Sequence, residues 1–306
     1  MYLGTSDFAV TVLERLADSA HLPVLVVTRP DRPRGRGRRL GPPPAADAAR
    51  ALGIELIQPE SVNAGEARER IRAARPEMVC ICGFGALIKE PLLSEHRMLN
   101  VHPSLLPRWR GAAPIERAIE AGDPETGVTI MRPTAELDAG PICLQRSEPI
   151  RPDDDYGTLA PRLAVLGGEL LVAALDTQPS FSEQPDEGVT YAEKIQAEDR
   201  QLDPARPADE LERRVRALHP HIGAWVELPN GGRLGVRRAR ARSTPRPPAR
   251  GELGSRDGRL LLGTASGTLE LIEVHPPGRR PMDGAAYLRG HAGELDRGKG
   301  QNAGGG

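Results

Sequence analysis

The stretch LPVLVVT, Leu22–Thr28, is a continuous apolar run of strand length. A run without polar alternation is typical of a strand that is buried on both faces, as in a parallel sheet covered by helices. A shorter strand-like run, MYLG, lies before it at Met1–Gly4. Between the two runs, Ser6 can cap a helix whose apolar residues recur at three-residue spacing from Val10 to Leu16. The region therefore predicts a strand, a helix and a buried strand.

The same alternation continues along the first half of the chain. Further strands are predicted at IELI (54–57), EMVCICG (77–83), MLNVH (98–102), GVTIMR (127–132) and ICLQRSEPI (142–150). Helices are predicted near 44–52, 66–74, 114–121 and 156–175. Strands that alternate with helices indicate a doubly wound, mostly parallel α/β sheet.

The second half has a different pattern. The chain turns polar between 177 and 203, for example in TQPSFSEQPDEG, which is typical of a linker. A helix near 209–218 then precedes four short strands, AWVEL, RLGVRRA, GRLLLG and GTLELIEV, which predict a small OB-like β-barrel. We expect a catalytic domain at 1–176, a linker at 177–203, a barrel domain at 204–292 and a disordered tail at 293–306.

Bulk properties exclude several classes of protein. The formal net charge of the 306 residues is −1, and the three cysteines do not make a disulfide framework. Cys80 and Cys82 are expected to be buried small hydrophobes instead of metal ligands, because no second Cys/His pair has suitable spacing. The apolar runs are too short for a bilayer, and the N-terminus has no signal-peptide pattern. We therefore expect a cytoplasmic protein with no metal and no membrane partner.

Two segments are rich in arginine. From 205 to 291 there are 16 Arg and 9 acidic residues, and RLGVRRARARSTPRPPAR (233–250) has seven Arg and no acid. The segment RPDRPRGRGRRLGPPP (29–44) has six Arg and one acid, and it follows a predicted strand. Single-sign surfaces of this kind predict nucleic-acid binding. A solvated face for the first segment, and a flexible loop or a targeting sequence for the second, remain the alternatives.

Asn100 and His102 are two residues apart at the end of a predicted strand, so their side chains share one face. Both can donate a hydrogen bond to a developing oxyanion. Asp138 follows GVTIMR, which is expected to be parallel, and its carboxylate could fix the tautomer of His102. The trio suits transfer of a carbonyl group without a covalent intermediate. A hydrogen-bonded loop with no catalytic role is the alternative. No complete Walker A or dinucleotide fingerprint is present.

The segment from NVHPSLLPRWRGAAPI (100–115) through GVTIM to LDAG (137–140) resembles the signature of the folate-dependent formyltransferases. GTSDFAVTVLERL, VVTRPDRPRGRGRRL and VTYAEKI resemble the same family, in the same order. RWRGAAPI and the Arg-rich loop are most similar to the branch that acts on methionyl initiator tRNA. The resemblance implies a Rossmann-like formyltransferase domain, transfer of a formyl group from 10-formyltetrahydrofolate, and a monomeric state.

The resemblance also implies roles for individual residues. Asn100, His102 and Asp138 match the catalytic trio. The folate-binding corner is matched by Ser104, Leu105, Leu106 and Pro107. The tRNA-binding residues it implies are Arg32, Arg34, Arg36, Arg38 and Arg39 in the loop, with Arg36 in the most important position, and Arg237, Arg238 and Arg240 in the barrel. The alternatives are a formyltransferase for a small amine, such as glycinamide ribonucleotide or an amino sugar, and a non-catalytic RNA-binding protein.

The sequence departs from the family pattern at three places. Pro103 stands after the histidine where a small residue is usual, and it biases His102 toward an extended conformation. Glu136 stands where glycine is common in the loop before Asp138. The first strand has only three residues before Gly4, so we expect the true start to lie upstream of Met1.

Overall fold

The computed structural model describes residues 1–34 and 39–295. By its contacts the chain divides into two compact units. The first comprises Met1–Pro114, Pro124–Ile150 and Leu159–Glu193, and the second comprises Ile115–Asp123, Arg151–Thr158 and the chain from Lys194 onward. The predicted domain boundaries differ from this division, and they stay a prediction.

Most elements of the first half lie where the periodicity predicts them. The strands are β1 (Tyr2–Gly4), β2 (Leu25–Val27), β3 (Arg32–Arg34), β4 (Arg39–Gly41), β5 (Glu55–Ile57), β6 (Val79–Cys82), β7 (Met98–His102), β8 (Arg110–Gly111), β9 (Glu125–Met131) and β10 (Ile142–Pro149). The helices are α1 (Asp7–Ala17), α2 (Pro44–Ala51), α3 (Gly65–Ala73), α4 (Leu92–Glu95), α5 (Pro114–Ala121) and α6 (Tyr156–Thr177). The short strands β3, β4 and β8 and the helix α4 were not predicted.

One seven-stranded sheet forms the centre of the first unit, in the order β10-β9-β7-β6-β1-β2-β5. The strands β7, β6, β1, β2 and β5 are parallel, as the alternation predicts. The predicted direction of GVTIMR was wrong, because β9 runs antiparallel to β7 and β10 antiparallel to β9. Because β9 and β10 are antiparallel, a hairpin loop is enough to join them, whereas parallel neighbours need a crossover connection.

The buried strand predicted at Leu22–Thr28 is confirmed, but it is shorter than the apolar run. Leu25, Val26 and Val27 are buried, whereas Leu22 and Val24 are more than half exposed. Helix α1 begins as predicted, since the Ser6 hydroxyl accepts a hydrogen bond from the Ala9 N–H at 3.3 Å. The run LPVLVVT is thus a short central strand with an exposed lead.

Helix α6 is the longest helix in the described part of the chain, and it is long and apolar enough to cross a membrane by length and composition. More than half of its apolar window is buried inside the protein. Gly167 brings the helix close to the sheet, because a Cβ there would lie 2.8 Å from Cγ1 of Val101 on β7. The core helix of a soluble protein passes the same test, and α6 packs as such a helix does.

The two cysteines of β6 are buried, as predicted. Burial raises the pKa of the Cys80 thiol to about 11 and that of Cys82 to about 12. Within residues 1–34 and 39–295 no group of His, Cys, Asp and Glu side chains is arranged to hold a metal ion. Both thiols therefore pack as small apolar groups.

The strand β11 (Tyr191–Ala192) still belongs to the first unit. The second unit contains the remaining elements, which are a 3₁₀ turn (Glu198–Arg200), α7 (Ala208–Leu218), β12 (Ala224–Glu227), β13 (Arg233–Arg242), β14 (Leu253–Arg256), β15 (Arg259–Gly263), β16 (Thr268–His275), β17 (Met282–Asp283) and α8 (Gly284–Leu295). An antiparallel sheet runs in the order β12-β13-β16-β15-β14, and β17 pairs with β16. Leu211 and Val215 of α7 pack into its core. The four predicted strands correspond to β12, β13, β15 and β16, whereas β14 and β17 were not predicted. The pairings in the described residues include none that closes a barrel.

Ion pairs explain why two segments from the first half belong to the second unit. Arg117 donates to Glu120 at 2.8 Å and to Asp199 at 3.0 Å, and Arg214 of α7 also pairs with Glu120. Two histidines make similar links, His219 with Asp155 at 2.8 Å and His221 with Glu116 at 3.0 Å. These charged contacts hold 115–123 and 151–158 against α7 and the chain that flanks it.

Candidate active site

Asn100 and His102 lie on β7, in the middle of the sheet of the first unit. Asn100 pairs with Ile81 on one side and Met131 on the other, and His102 pairs with Thr129. Alternation along the strand puts both side chains on one face, as the spacing predicts. His102 is buried, and Asn100 is partly exposed. The amide nitrogen of Asn100 lies 3.7 Å from the Met131 thioether, a weak acceptor, and so keeps donor capacity for a ligand.

Both ring nitrogens of His102 face acceptors. Nε2 is 2.9 Å from the carbonyl oxygen of Trp109, to which it donates. Nδ1 is 3.6 Å from Oδ2 of Asp138, which is outside hydrogen-bond distance but close enough for an ion pair. The side chains of His102 and Asp138 are 5% and 16% exposed, so water screens this pair little. The sequence prediction that Asp138 lies near His102 agrees with this geometry.

Asp138 reaches His102 by a route that the sequence did not predict. It lies in the loop from Arg132 to Pro141, which joins β9 to β10 and is closed by a 2.9 Å hydrogen bond from the Arg132 N–H to the Pro141 carbonyl. Asp138 has a φ of +49°, a left-handed conformation that aspartate adopts more easily than most residues. Its Oδ2 accepts a hydrogen bond from the Gly111 N–H at 2.9 Å. The loop thus bends back across the strand ends to bring the carboxylate to His102.

The predicted folate corner follows β7 directly. Leu106–Pro107 is a cis peptide, and the Thr129 hydroxyl beneath it donates to the Ser104 carbonyl at 2.6 Å and accepts from the Leu106 N–H at 3.2 Å. Gln145 donates to the Leu106 carbonyl at 2.9 Å. The buried Thr129 and the more exposed Gln145 together fix the corner.

The four corner residues divide into two kinds. Ser104 and Leu106 are buried, and the Ser104 hydroxyl donates to the Arg108 carbonyl at 2.6 Å, so its proton is already used. Leu105 and Pro107 are partly exposed. The surface that the corner offers to a ligand is therefore apolar.

Pro103 is compatible with the site. The Ser104 N–H donates to the His102 carbonyl at 2.9 Å, which makes Pro103 the central residue of a three-residue turn. The inverse γ-turn has a central φ near −75°, close to the value that the proline ring imposes. Pro103 therefore stiffens the exit from β7 without displacing His102.

Sequence reasoning missed four groups that position the site. Thr129 and Gln145 support the corner, the Gly111 N–H holds Asp138, and Gln184 binds the Asp138 loop. A buried threonine in an apolar strand has no distinct local signal, and Gln184 lies in a segment whose composition is typical of a linker. The sequence offered one signal, the glycine at position 111. In the structure Gly111 has a φ of +126°, which is open mainly to glycine.

The Arg-rich loop forms a small hairpin. The strands β3 and β4 are antiparallel, with Arg34 opposite Arg39. They follow β2, so the hairpin leaves the carboxyl edge of the sheet, as predicted. Arg32 is exposed. Arg36 and Arg38 lie outside the described residues, and the tRNA-binding role of all five arginines of the loop stays a prediction.

The three arginines predicted on the barrel domain differ in their surroundings. Arg237 is partly buried, with Nε 3.1 Å from Glu273. Arg238 and Arg240 are exposed, and neither has a carboxylate within 4.0 Å in the described part of the chain. Arg242 and Arg259 both approach Glu270. Of the three predicted arginines, Arg238 and Arg240 thus keep a charge that no nearby carboxylate in the described residues offsets.

The fold and the site define a class of protein. Residues 1–175 match the formyl transferase family, and residues 194–292 match the formyl transferase C-terminal domain. The chain belongs to the formyl transferase family.

The similarity extends to particular members of that family. Over 95% of both chains it is 44% identical to the methionyl-tRNA formyltransferase of Halorhodospira halophila. It is 40% identical to that of Methylococcus capsulatus, over 95% of this chain and 96% of the relative. In fold it is similar to an N-formyltransferase from Helicobacter canadensis, with a TM-score of 0.63, 15% identity, and coverage of 88% of this chain and 97% of the other.

Proposed function

We propose that this protein transfers a formyl group from 10-formyltetrahydrofolate to the α-amino group of methionyl initiator tRNA. The relatives that match nearly the whole chain are named for formylation of methionyl-tRNA. The N-formyltransferase of similar fold is described in complex with folinic acid, and a similar structure from Aquifex aeolicus in complex with tetrahydrofolic acid. The observation that carries the proposal is the grouping of Asn100, His102 and Asp138 beside the apolar corner.

Each of the three residues has a distinct role in this proposal. The amide of Asn100 donates to the formyl oxygen as negative charge develops there. His102 donates to the same oxygen through one ring nitrogen, for which it leaves the Trp109 carbonyl. Asp138 then accepts from the other nitrogen, and the present 3.6 Å separation closes to a hydrogen bond. The carboxylate stabilises the charged imidazole, and it helps to move the proton that the attacking amine loses to N10 of the folate, which leaves as its bond to the formyl carbon breaks.

The corner Ser104–Pro107 holds the folate in this proposal. When bound, 10-formyltetrahydrofolate supplies the formyl group on a nitrogen that can leave. Leu105 and Pro107 provide apolar contact, while Ser104 and Leu106 keep the turn in place through Thr129. Alignment of the two substrates supplies much of the rate in a reaction of this kind.

The tRNA is bound by two basic surfaces in this proposal. The first is the hairpin loop, with Arg32, Arg34, Arg36, Arg38 and Arg39. The second is the stripe on β13, where Arg238 and Arg240 contact phosphates, and Arg237 mainly supports β13 through Glu273. The proposal also includes a catalytic domain at 1–176, a linker at 177–203, a barrel domain at 204–292, a monomeric state, a cytoplasmic location and no metal.

A formylation assay tests the reaction. The protein is incubated with labelled 10-formyltetrahydrofolate and charged initiator tRNA, and with glycinamide ribonucleotide or an amino sugar as competing acceptors. We expect label on the tRNA alone, and a loss of at least about 100-fold in kcat/KM for Asp138→Asn and for His102→Ala. Label on a small amine supports the small-amine alternative. Binding of tRNA without turnover supports a non-catalytic RNA-binding protein.

The basic stripe has a separate test. The double variant Arg238→Gln/Arg240→Gln should weaken tRNA binding and lower the slope of log Kd against log salt by about 1 for each phosphate that is no longer neutralised. Arg237→Gln should have a smaller effect on this slope. Arg70→Gln, on a helix of the first unit, is the matched control. Equal effects of the stripe and control variants would contradict the assignment.

A further inference from the structure

The geometry points to Gln184 as a positioning residue that holds the catalytic loop through the backbone carbonyls of Asp138 and Gly140. Its side-chain nitrogen donates to the Asp138 carbonyl at 2.7 Å and to the Gly140 carbonyl at 2.8 Å. Its side-chain oxygen accepts from Nε and Nη2 of Arg110 at 3.0 and 2.8 Å. A primary amide has two donors and two acceptor sites, and here all four are used. The inference rests on the proposed role of Asp138.

The network leaves one orientation for the amide. Two carbonyls face the nitrogen and two guanidinium N–H groups face the oxygen, so a flipped amide would oppose donors to donors and acceptors to acceptors. Gln184 therefore links the loop that carries Asp138 to the strand β8, which contains Arg110. The adjacent residue of β8, Gly111, donates to the Asp138 carboxylate itself. Both the backbone and the carboxylate of Asp138 are thus tied to β8.

The segment that carries Gln184 is itself anchored. Ser182 exchanges two backbone hydrogen bonds with Ile142 at the start of β10, at 2.8 and 2.9 Å. Farther along, the Thr190 hydroxyl accepts from the Trp109 N–H at 2.9 Å, and β11 pairs with β8. Gln184 lies between these two attachments. The segment from Ser182 to Ala192 therefore acts as a brace between the Asp138 loop and the chain after the folate corner.

The loop needs such a brace for two reasons. Asp138 is in the left-handed region, a conformation that persists where the surroundings hold it. A Cβ at Gly140 would collide with the Arg132 carbonyl, so the backbone passes close to itself there. Without the amide of Gln184, two loop carbonyls lose their donors and the loop can relax. Relaxation would move the Asp138 carboxylate away from His102.

The variant Gln184→Glu tests the brace, because it keeps the length of the side chain and its attraction to Arg110 but replaces the donating nitrogen with an acceptor. We expect kcat to fall about 10- to 100-fold, as for a misplacement of about 1 Å, while KM for both substrates changes little. Glu183→Gln, at the exposed residue next to Gln184, is the control and should leave kcat and KM unchanged. If Gln184→Glu does not fold at the assay temperature by its thermal unfolding curve, Gln184→Met replaces it.

A double-variant comparison separates positioning from general structural damage. In an Asp138→Asn background, Gln184→Glu should have little further effect on kcat, because its effect passes through Asp138. An equal loss in both backgrounds, or a normal kcat for Gln184→Glu alone, would overturn the inference. Normal turnover by Asp138→Asn alone would instead overturn the proposed catalytic role and the inference with it. The two failures therefore give different results.

Discussion

Thr129→Val is the substitution whose effect the structure defines most closely. Thr129 is fully buried, and its hydroxyl bonds the Ser104 carbonyl, the Leu106 N–H and the Gln145 amide at 2.6, 3.2 and 2.8 Å. Valine has nearly the same shape, so the variant removes these bonds without leaving a cavity. Gln145 keeps its second acceptor, the Leu106 carbonyl. Ser104 and Leu106 are each left with an unpaired buried backbone group.

The magnitude follows from these two groups. Each buried donor or acceptor that loses its partner costs about 1–3 kcal/mol, so the free energy of unfolding should fall by about 2–6 kcal/mol. That is a large part of the roughly 5–15 kcal/mol typical of a folded domain. The same change loosens the corner Ser104–Pro107, which holds the folate in the proposed function, so KM for the formyl donor should rise.

Thr126→Val is the matched control, because Thr126 lies on the same strand and is also buried, but its hydroxyl has no hydrogen-bond partner in the described residues. Replacing an unpaired buried hydroxyl with a methyl group should be neutral or stabilise by about 1 kcal/mol. Both variants are compared by urea unfolding followed by circular dichroism. If the two agree within about 0.5 kcal/mol, which is the spread expected of unrelated surface changes, the reasoning about Thr129 is refuted.

Two further predictions concern titrating groups. Burial raises the pKa of all three thiols, to about 11 for Cys80 and about 12 for Cys82, but Cys143 alone of the three is partly exposed. An alkylating reagent at neutral pH should therefore modify Cys143 first in the folded protein, and mass spectrometry after urea treatment should show all three labelled. Burial opposes ionisation of Asp199, but the hydrogen bond from the Gln196 N–H and the charge of Arg117 outweigh this effect and hold the pKa of Asp199 below its ordinary value of 3.8. The contribution of Asp199 to stability is therefore complete above pH 3.8 and is lost as the pH falls below that value. Asp199→Asn should therefore reduce the difference in unfolding free energy between neutral and acidic pH, and an unchanged difference would contradict the assignment.

The local pattern of the sequence was sufficient for most of the fold. The three-residue spacing after Ser6 and the apolar run at 25–27 define elements that need only their own residues to be recognised. The same holds for the shared face of Asn100 and His102, which follows from the geometry of any strand. The place of Asp138 after a predicted strand suggested it as their partner, the family resemblance implied the same role, and the structure brings its carboxylate to 3.6 Å from His102.

The direction of β9 was not determined in this way. Its apolar pattern is the same for a parallel and an antiparallel neighbour, because alternation and burial do not depend on direction. The parallel prediction placed Asp138 at the carboxyl end of a strand beside His102. In the structure the chain reverses, and a ten-residue hairpin loop carries Asp138 back to the histidine.

What the sequence by itself determined about this protein is the class of fold, the positions of most strands and longer helices, and the residues of the candidate catalytic trio. Only the tertiary structure decided how the trio is held. Gln184 is 46 residues from Asp138 and 74 from Arg110 along the chain, and Thr129 is 25 residues from Ser104. Periodicity records which face of an element is buried, but it records nothing about which distant backbone group a side-chain amide or a buried hydroxyl will meet. That choice is made only when the strands pack, since each buried polar group must then find its partner.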